Sequence, residues 1–155
     1  MEIITNVETL AQPSEPLTFL TAEGAKTEEG SEIISKIKEA MEQDTKILAL
    51  AAPQIGINRR VVAVQRFDKE GEPFEVYPNI SIIETSEELA PGPEGCLSVP
   101  NQRHEVMRHT WVTIQYYSLE AHKVVQERIE GFTAVIFQHE VDHLSGVLYI
   151  DRVGQ

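Results

Sequence analysis

A mixed chain, with strands in succession between two helices, is the fold class this sequence predicts, and three patterns predict it. Apolar residues recur at helical spacing early in the chain and again near its C-terminus. Between them lie β-branched runs broken by Pro and Gly. The late helix contains Gln138-His139-Glu140-Val141-Asp142-His143, whose histidines, four apart, share one face. Two imidazoles one turn apart are half of a divalent-metal site, and Glu140 is placed to take a proton from metal-bound water. The competing reading is a buried amphipathic helix whose histidines are only hydrogen-bonded.

In chain order, residues 1–30 are polar, with Pro13 and Pro16, and read as extended or irregular, anchored by Leu17, Phe19 and Leu20. Ser31 followed by Ile33, Ile34, Ile37 and Met41 predicts an amphipathic helix over roughly 31–43 with Ser31 as N-cap. Ile47–Gly56 is small and apolar and has no clean period. It fits either a strand ending in a turn or a loop presenting Gln54 into a cleft.

Val61–Val64 predicts a buried strand, and Asp68–Pro73 a turn. Phe74–Ile83 reads as strand interrupted at Pro78, and Glu84–Pro93 as an acidic surface connection. Gly95, beside the single cysteine Cys96, lets backbone approach a ligand closely. Trp111–Tyr117 alternates Val112, Ile114 and Tyr116 against Thr113, Gln115 and Tyr117, a half-buried strand that turns into a partner over Lys123–Glu130. In the late helix, Phe132, Val135 and Ile136 lead at 3–4 spacing into His139 and His143, and Gly146 fits its stop. Leu148 and Ile150 suggest a short closing strand.

The 155 residues suit one domain burying about 68–70% of its unfolded surface. With 25 acidic against 13 basic residues, the net charge of −12 argues against phosphate-driven binding to nucleic acid. No apolar run approaches the roughly 20 residues that span a bilayer, and the N-terminus lacks the plan of a secretion signal. One cysteine excludes an intrachain disulfide and suits a reducing cytosol.

A catalytic zinc-type site needs three protein ligands and an open position. His139 and His143 supply two, and Cys96 is the obvious third, held as a thiolate by the metal. Glu94, His104, His109 and His122 are alternative thirds, although those three histidines sit among polar neighbours and read as solvated. Gln54 and the Leu97 amide are candidate donors to a developing oxyanion. These residues alone point to metal-assisted hydrolysis of an amide-like bond.

Three stretches in order resemble the signatures of the peptide deformylases: Ala51-Ala52-Pro53-Gln54, Glu94-Gly95-Cys96-Leu97-Ser98-Val99-Pro100 and Gln138-His139-Glu140-Val141-Asp142-His143-Leu144. Gln102-Arg103, Val106-Met107-Arg108 and Gly131-Phe132-Thr133-Ala134 also match, and the resemblance covers roughly residues 31 to 152. It implies an α+β fold, antiparallel strands packed around a central helix that carries the H-E-x-x-H motif. It also implies a single catalytic domain over 1–155, without the C-terminal helix of longer members.

The activity implied is removal of the N-formyl group from formylmethionine on nascent polypeptides at the ribosome, releasing formate. Cys96, His139 and His143 would hold one divalent metal ion, natively Fe2+, with Ni2+, Co2+ or Zn2+ able to substitute. Glu140 would be the general base and acid, with Gln54 and the Leu97 amide on the formyl oxygen. Backbone at Leu48, Ala49 and Gly95 would pair with the peptide. Phe132, Val135, Ile136 and Leu48 would line the methionine pocket, with Arg103 near its mouth.

A monomer is expected, with no nucleic-acid or membrane partner. Its location would be the cytoplasm of a bacterium or phage-infected host, or an organelle matrix. Two departures stand out: Ile47 and Ala49 occupy positions where the family usually has glycine, and side chains there are expected to narrow the peptide groove or alter the backbone. Two other readings remain. One is a zincin-type metallopeptidase, although no third His or Glu follows the motif at a recognisable spacing. The other is a deformylase-like protein with weak or altered activity, retained for binding.

Overall fold

The computed structural model describes residues 3–10, 12–14, 28–44, 47–96 and 98–152. Among the described residues, eight strands and three α-helices follow one another: α1 (Val7–Leu10), α2 (Glu28–Gln43), β1 (Ala49–Ala51), β2 (Val61–Gln65), β3 (Phe74–Pro78) and β4 (Ser81–Thr85). Then come β5 (Leu89–Cys96), β6 (Val99–His109), β7 (Trp111–Ser118), β8 (Lys123–Glu130) and α3 (Gly131–Leu144). Short 3-10 turns cover Ala52–Ile55 and Tyr149–Arg152. The strands form three antiparallel sheets, ordered β1-β2-β3, β4-β7-β8 and β5-β6.

Strand β2 shows why the sheets assemble as they do. Its Val61-Val62-Ala63-Val64 run is buried throughout, because neither face meets water. Val61 and Ala63 pack with Leu50 and with Ile33, Ile34, Ile37 and Met41 of α2. Val62 and Val64 face the other way, toward Tyr77, Val112, Ile114 and Ile129 and the Ala134, Phe137, Val141 and Leu144 stripe of α3. Each fully buried aliphatic side chain on these faces contributes about 1.5–3 kcal/mol. The late helix is therefore central, enclosed between two sheets.

A buried arginine fastens one sheet to the other. Arg66, just after β2, donates to Asp68 at 2.8 and 2.9 Å, to Glu127 of β8 at 2.8 and 3.1 Å, and to the Tyr77 hydroxyl at 3.0 Å. Its guanidinium also lies 5.6 Å from the Phe137 ring centroid, so it braces α3 from behind.

The strand over Phe74–Ile83 is interrupted at Pro78 as expected: Pro78 ends β3, Asn79 turns the chain at φ 54°, and β4 joins a different sheet. Three sequence expectations are corrected. Helix α2 begins at Glu28, so Ser31 lies inside it and is not its N-cap. Much of the 84–93 connection is strand: β5 tolerates Pro91 and Pro93 because among the described residues it pairs only with β6. The closing segment is a 3-10 turn, since Leu148 N–H donates to the Asp151 carboxylate at 2.9 Å and Asp151 N–H to the Leu148 carbonyl at 3.0 Å. Along β7, Val112 and Ile114 point inward as expected, and Tyr117 is buried as well.

Candidate metal centre

Helix α3 is buried on most of its circumference, which encloses its polar residues too. Glu140 and His143 are 4% and 1% exposed. Buried polar atoms normally have partners, yet Glu140 Oε2 and His143 Nδ1 have none among the protein atoms. Beyond Leu144, Ser145 and Gly146 donate back to the carbonyls of Asp142 and His143, and Gly146, at φ 76°, closes the helix.

Cys96 comes from the β5–β6 hairpin, whose register shifts between Glu94 and Cys96 so that Cys96 faces Val99. A Cβ on Gly95 would lie 3.3 Å from the Gln102 carbonyl oxygen and 3.4 Å from Arg103 Cγ. The close approach that glycine allows here is to the partner strand.

The donor atoms of Cys96, His139 and His143 lie within 4.8 Å of one another. Sγ is 3.4 Å from His143 Nε2, and the two imidazole centroids are 5.2 Å apart. Among the described residues no other group of three or more His, Cys, Asp or Glu converges in this way. A sulfur and two imidazoles suit a first-row divalent cation, and the unpartnered Glu140 oxygen is buried on the same helix. The residues fit a metal.

Behind the ligands lies an ionic clasp. Arg108 of β6 grips both oxygens of Glu94 at 2.7 and 2.8 Å and reaches Asp142 of α3 at 2.6 Å. Asp142 also pairs with Arg152. Glu94 in turn lies 2.9 Å from His139 Nδ1. Burial opposes the charge on Glu94, but Arg108 and His139 hold its pKa down to about 2. An ionised Glu94 only accepts, so His139 Nδ1 carries the hydrogen and Nε2 is left to face Cys96 and His143.

The rest of the electrostatics follows from enclosure. Burial opposes protonation of His139, yet contacts with Cys96 and Glu94 lift its pKa to about 10 in the metal-free chain, so a metal ion binds Nε2 by displacing its proton. Burial and the His139 charge push His143 down to about 3, leaving it neutral as a metal ligand must be. Burial pushes Glu140 up to about 7, in the range of a base that works near neutrality.

Gln54 reaches the same place from β1. Both local expectations hold in part: Ala49–Ala51 is strand, and Ala52–Ile55 is a 3-10 turn with Pro53 in its second position, closing at Gly56, φ 83°. The Gln54 side chain folds back so that Oε1 accepts from Ala51 N–H at 2.9 Å. Its Nε2 then lies 3.4 Å from Cys96 Sγ and 3.3 Å from Ser98 Oγ.

Leu97 lies outside the described residues. Leu48 is exposed, and Ala49 lies on β1, an edge strand among the described residues. Arg103 is exposed on β6. Val135 lines a cavity of about 130 Å³ with Gly92, Val106, Arg108 and His109. Ile136 packs against the core, and Phe132 is exposed. Ile47 is buried in the α2 core, so its side chain turns away from the surface. Neither Ile47 nor Ala49 adopts a positive φ.

His104, His109 and His122 stand apart from the cluster; His109 Nδ1 lies 2.7 Å from the Ser86 carbonyl oxygen. Gln138 and Asp142, flanking the histidines in sequence, are both engaged. The Gln138 amide pairs with the N–H and carbonyl of His109 at 2.9 and 2.8 Å, pinning α3 to the end of β6.

Sequence reasoning missed the clasp. Strand alternation offered the signal: Arg108 shares a face with buried Val106, and an arginine on a core-facing position needs an anionic partner. Tyr149 was missed as well. Its ring stacks on His139 at 5.8 Å, and its hydroxyl donates to the Gln102 carbonyl at 3.1 Å.

Known proteins supply a comparison. The family profile for polypeptide deformylase matches residues 2–155. A peptide deformylase of Desulforudis audaxviator is 45% identical over 106 residues, covering 68% of this chain and 66% of that relative. A class I type b peptide deformylase from Acinetobacter baumannii superposes with TM-score 0.85 at 31% identity, covering 99% of this chain and 98% of that one. The Thermotoga maritima peptide deformylase gives TM-score 0.84 at 30% identity, covering 100% and 97%. The chain belongs to the polypeptide deformylase family, with its α+β fold.

Proposed function

We propose that this chain is a metal-dependent amide hydrolase that removes the formyl group from N-terminal formylmethionine and releases formate. The observation that carries the reading is the convergence of Cys96, His139 and His143 beside a buried carboxylate oxygen with no protein partner. Family membership supplies the substrate class.

A divalent cation held by Cys96, His139 and His143 would supply Lewis-acid polarisation and an activated water. Glu140 accepts the proton of the attacking water and returns it to the leaving amine as the C–N bond breaks. Gln54 Nε2 and the Leu97 amide donate to the oxygen that gains charge. Glu94 holds the His139 ring, and Arg108 keeps Glu94 charged.

The edge of β1 that has no partner strand among the described residues receives the peptide as an added strand through the backbone at Leu48 and Ala49, and the Gly95 backbone pairs with the peptide as well. Val135, Phe132, Ile136 and Leu48 border the methionine side chain, with Arg103 at the mouth. The native metal is ferrous iron, replaceable by nickel, cobalt or zinc. The chain acts as a single-domain cytoplasmic monomer on nascent chains leaving the ribosome.

A formate-release assay on formyl-Met-Ala-Ser, with metal analysis of the same sample, tests the reading. Turnover should track the bound metal, and an internal peptide bond should survive. Metal-loaded protein, iron form included and prepared anaerobically, that releases no formate overturns it. Peroxide should inactivate the iron-loaded form and spare the zinc-loaded form.

A further inference from the structure

The hydrogens of Gln54 Nε2 have two neighbours, and only one of them is a candidate metal ligand. Oε1 is fixed by Ala51 N–H at 2.9 Å, which decides the orientation of the carboxamide and turns Nε2 toward the hairpin. There Nε2 lies 3.4 Å from Cys96 Sγ and 3.3 Å from Ser98 Oγ. Gln54 and Ser98 are both 2% exposed, so water does not compete for these hydrogens. An amide nitrogen has two hydrogens in one plane. With Ser98 Oγ accepting one, the other is directed at Cys96 Sγ, whose sulfur converges with His139 and His143.

We infer that Ser98 is a positioning residue for Gln54: its hydroxyl takes one carboxamide hydrogen and thereby aims the other, which rests against Cys96 Sγ, toward the reacting oxygen. Ser98 and Cys96 sit on the same turn, so one short segment sets both the sulfur ligand and the aim of the donor. Without the hydroxyl, Nε2 keeps only sulfur, a weak acceptor, and the amide plane can tilt. The inference rests on the hydrolase reading and on Gln54 as the oxyanion donor.

Four proteins test it in the formate-release assay, each with metal content measured: the parent, Ser98→Ala, Gln54→Ala and the double variant. Loss of one preorganised donor costs roughly 10²-fold in kcat, so Gln54→Ala should fall by about that and Ser98→Ala, which only loosens the donor, by about tenfold. KM and bound metal should hold steady. In the Gln54→Ala background, Ser98→Ala should cost nothing further, whereas a merely structural serine would cost the same in both. Equal losses in the two backgrounds, or an unchanged Ser98→Ala, overturn the inference while leaving the hydrolase reading intact.

A Gln54→Ala protein with full kcat removes the donor role and this inference together. Absence of formate from the metal-loaded parent removes the reading itself. Should Ser98→Ala fail to fold, Ser98→Thr against Ser98→Val, nearly equal in volume, isolates the hydroxyl. Threonine should retain kcat and valine lose it, and equal rates for the two overturn the inference.

Discussion

Helix α3 and the β5–β6 hairpin bring ligands to one point by different physics. Along α3, the separation of His139 and His143 follows from 3.6 residues per turn and needs no other element. Cys96 arrives from elsewhere in the chain and meets them only because the hairpin is docked on the helix. That docking uses Arg108 on Glu94 and Asp142, and Gln138 on the His109 backbone. One arm of the site is set locally, the other conditionally. Loosening the fold should therefore cost the sulfur ligand first and leave the histidine pair together.

The largest effect should come from the ligands themselves. Cys96→Ala or His139→Ala is expected to lose metal and formate release together, read as bound metal per chain beside the assay. A Cys96→Ala protein that retains both would show the helix arm to be sufficient and end the comparison. Next comes Glu140→Ala, which should keep its metal and lose about 10²–10⁴-fold in kcat, the usual worth of a positioned general base. Metal lost in step with turnover would mark Glu140 as structural.

The clasp variants address the conditional arm directly. Glu94→Gln leaves the His139 ring without its anionic acceptor and Arg108 without its full partner, and should weaken metal binding about 10–100-fold, measured against a competing chelator. Acid sensitivity tests the same contact. Glu94 is depressed from its usual 4.5 to about 2. A carboxylate depressed on folding gives stability that is complete above its unfolded pKa and lost as pH falls through the folded one. Metal-free parent protein should thus lose stability from about pH 5 toward pH 2, and Glu94→Gln should show a shallower slope across that window. Identical slopes would mean that the clasp contributes no charge-dependent stability.

The same contrast explains what was legible in the sequence. Helical spacing gave the histidine pair and the helix that holds them, because period and ligand geometry are both local. Val61–Val64 was legible as a strand buried on both faces, since continuous apolar character needs no partner to be recognised. Alternation puts Arg108 on a core-facing position, but its partners were not legible, because Arg108 meets Glu94 and Asp142 only through tertiary docking, and charged residues in sequence look alike whether solvated or enclosed. The closing turn failed for a related reason: Leu148 and Ile150 have the spacing of a strand, and Asp151 captures the Leu148 N–H before any strand can.

The smallest effect is expected where the sequence departs most visibly from its family. Ile47 and Ala49 replace glycines, which suggested a narrowed groove, but Ile47 is spent on the core and both residues hold ordinary negative φ values. Only Ala49, half-buried on the edge strand β1 and opposite Val64, still borders the surface where a peptide would pair. Ala49→Gly removes one methyl and adds chain entropy, so it should cost about 0.5–1 kcal/mol in stability. Its kcat should be unchanged, and KM for formyl-Met-Ala-Ser should move by less than about fivefold, since a single methyl group is worth under about 1 kcal/mol. A tenfold drop in KM would mean that the alanine methyl stands in the path of the peptide. The edge of β1 would then belong with the hairpin, among the parts of the site whose fit is set by docking.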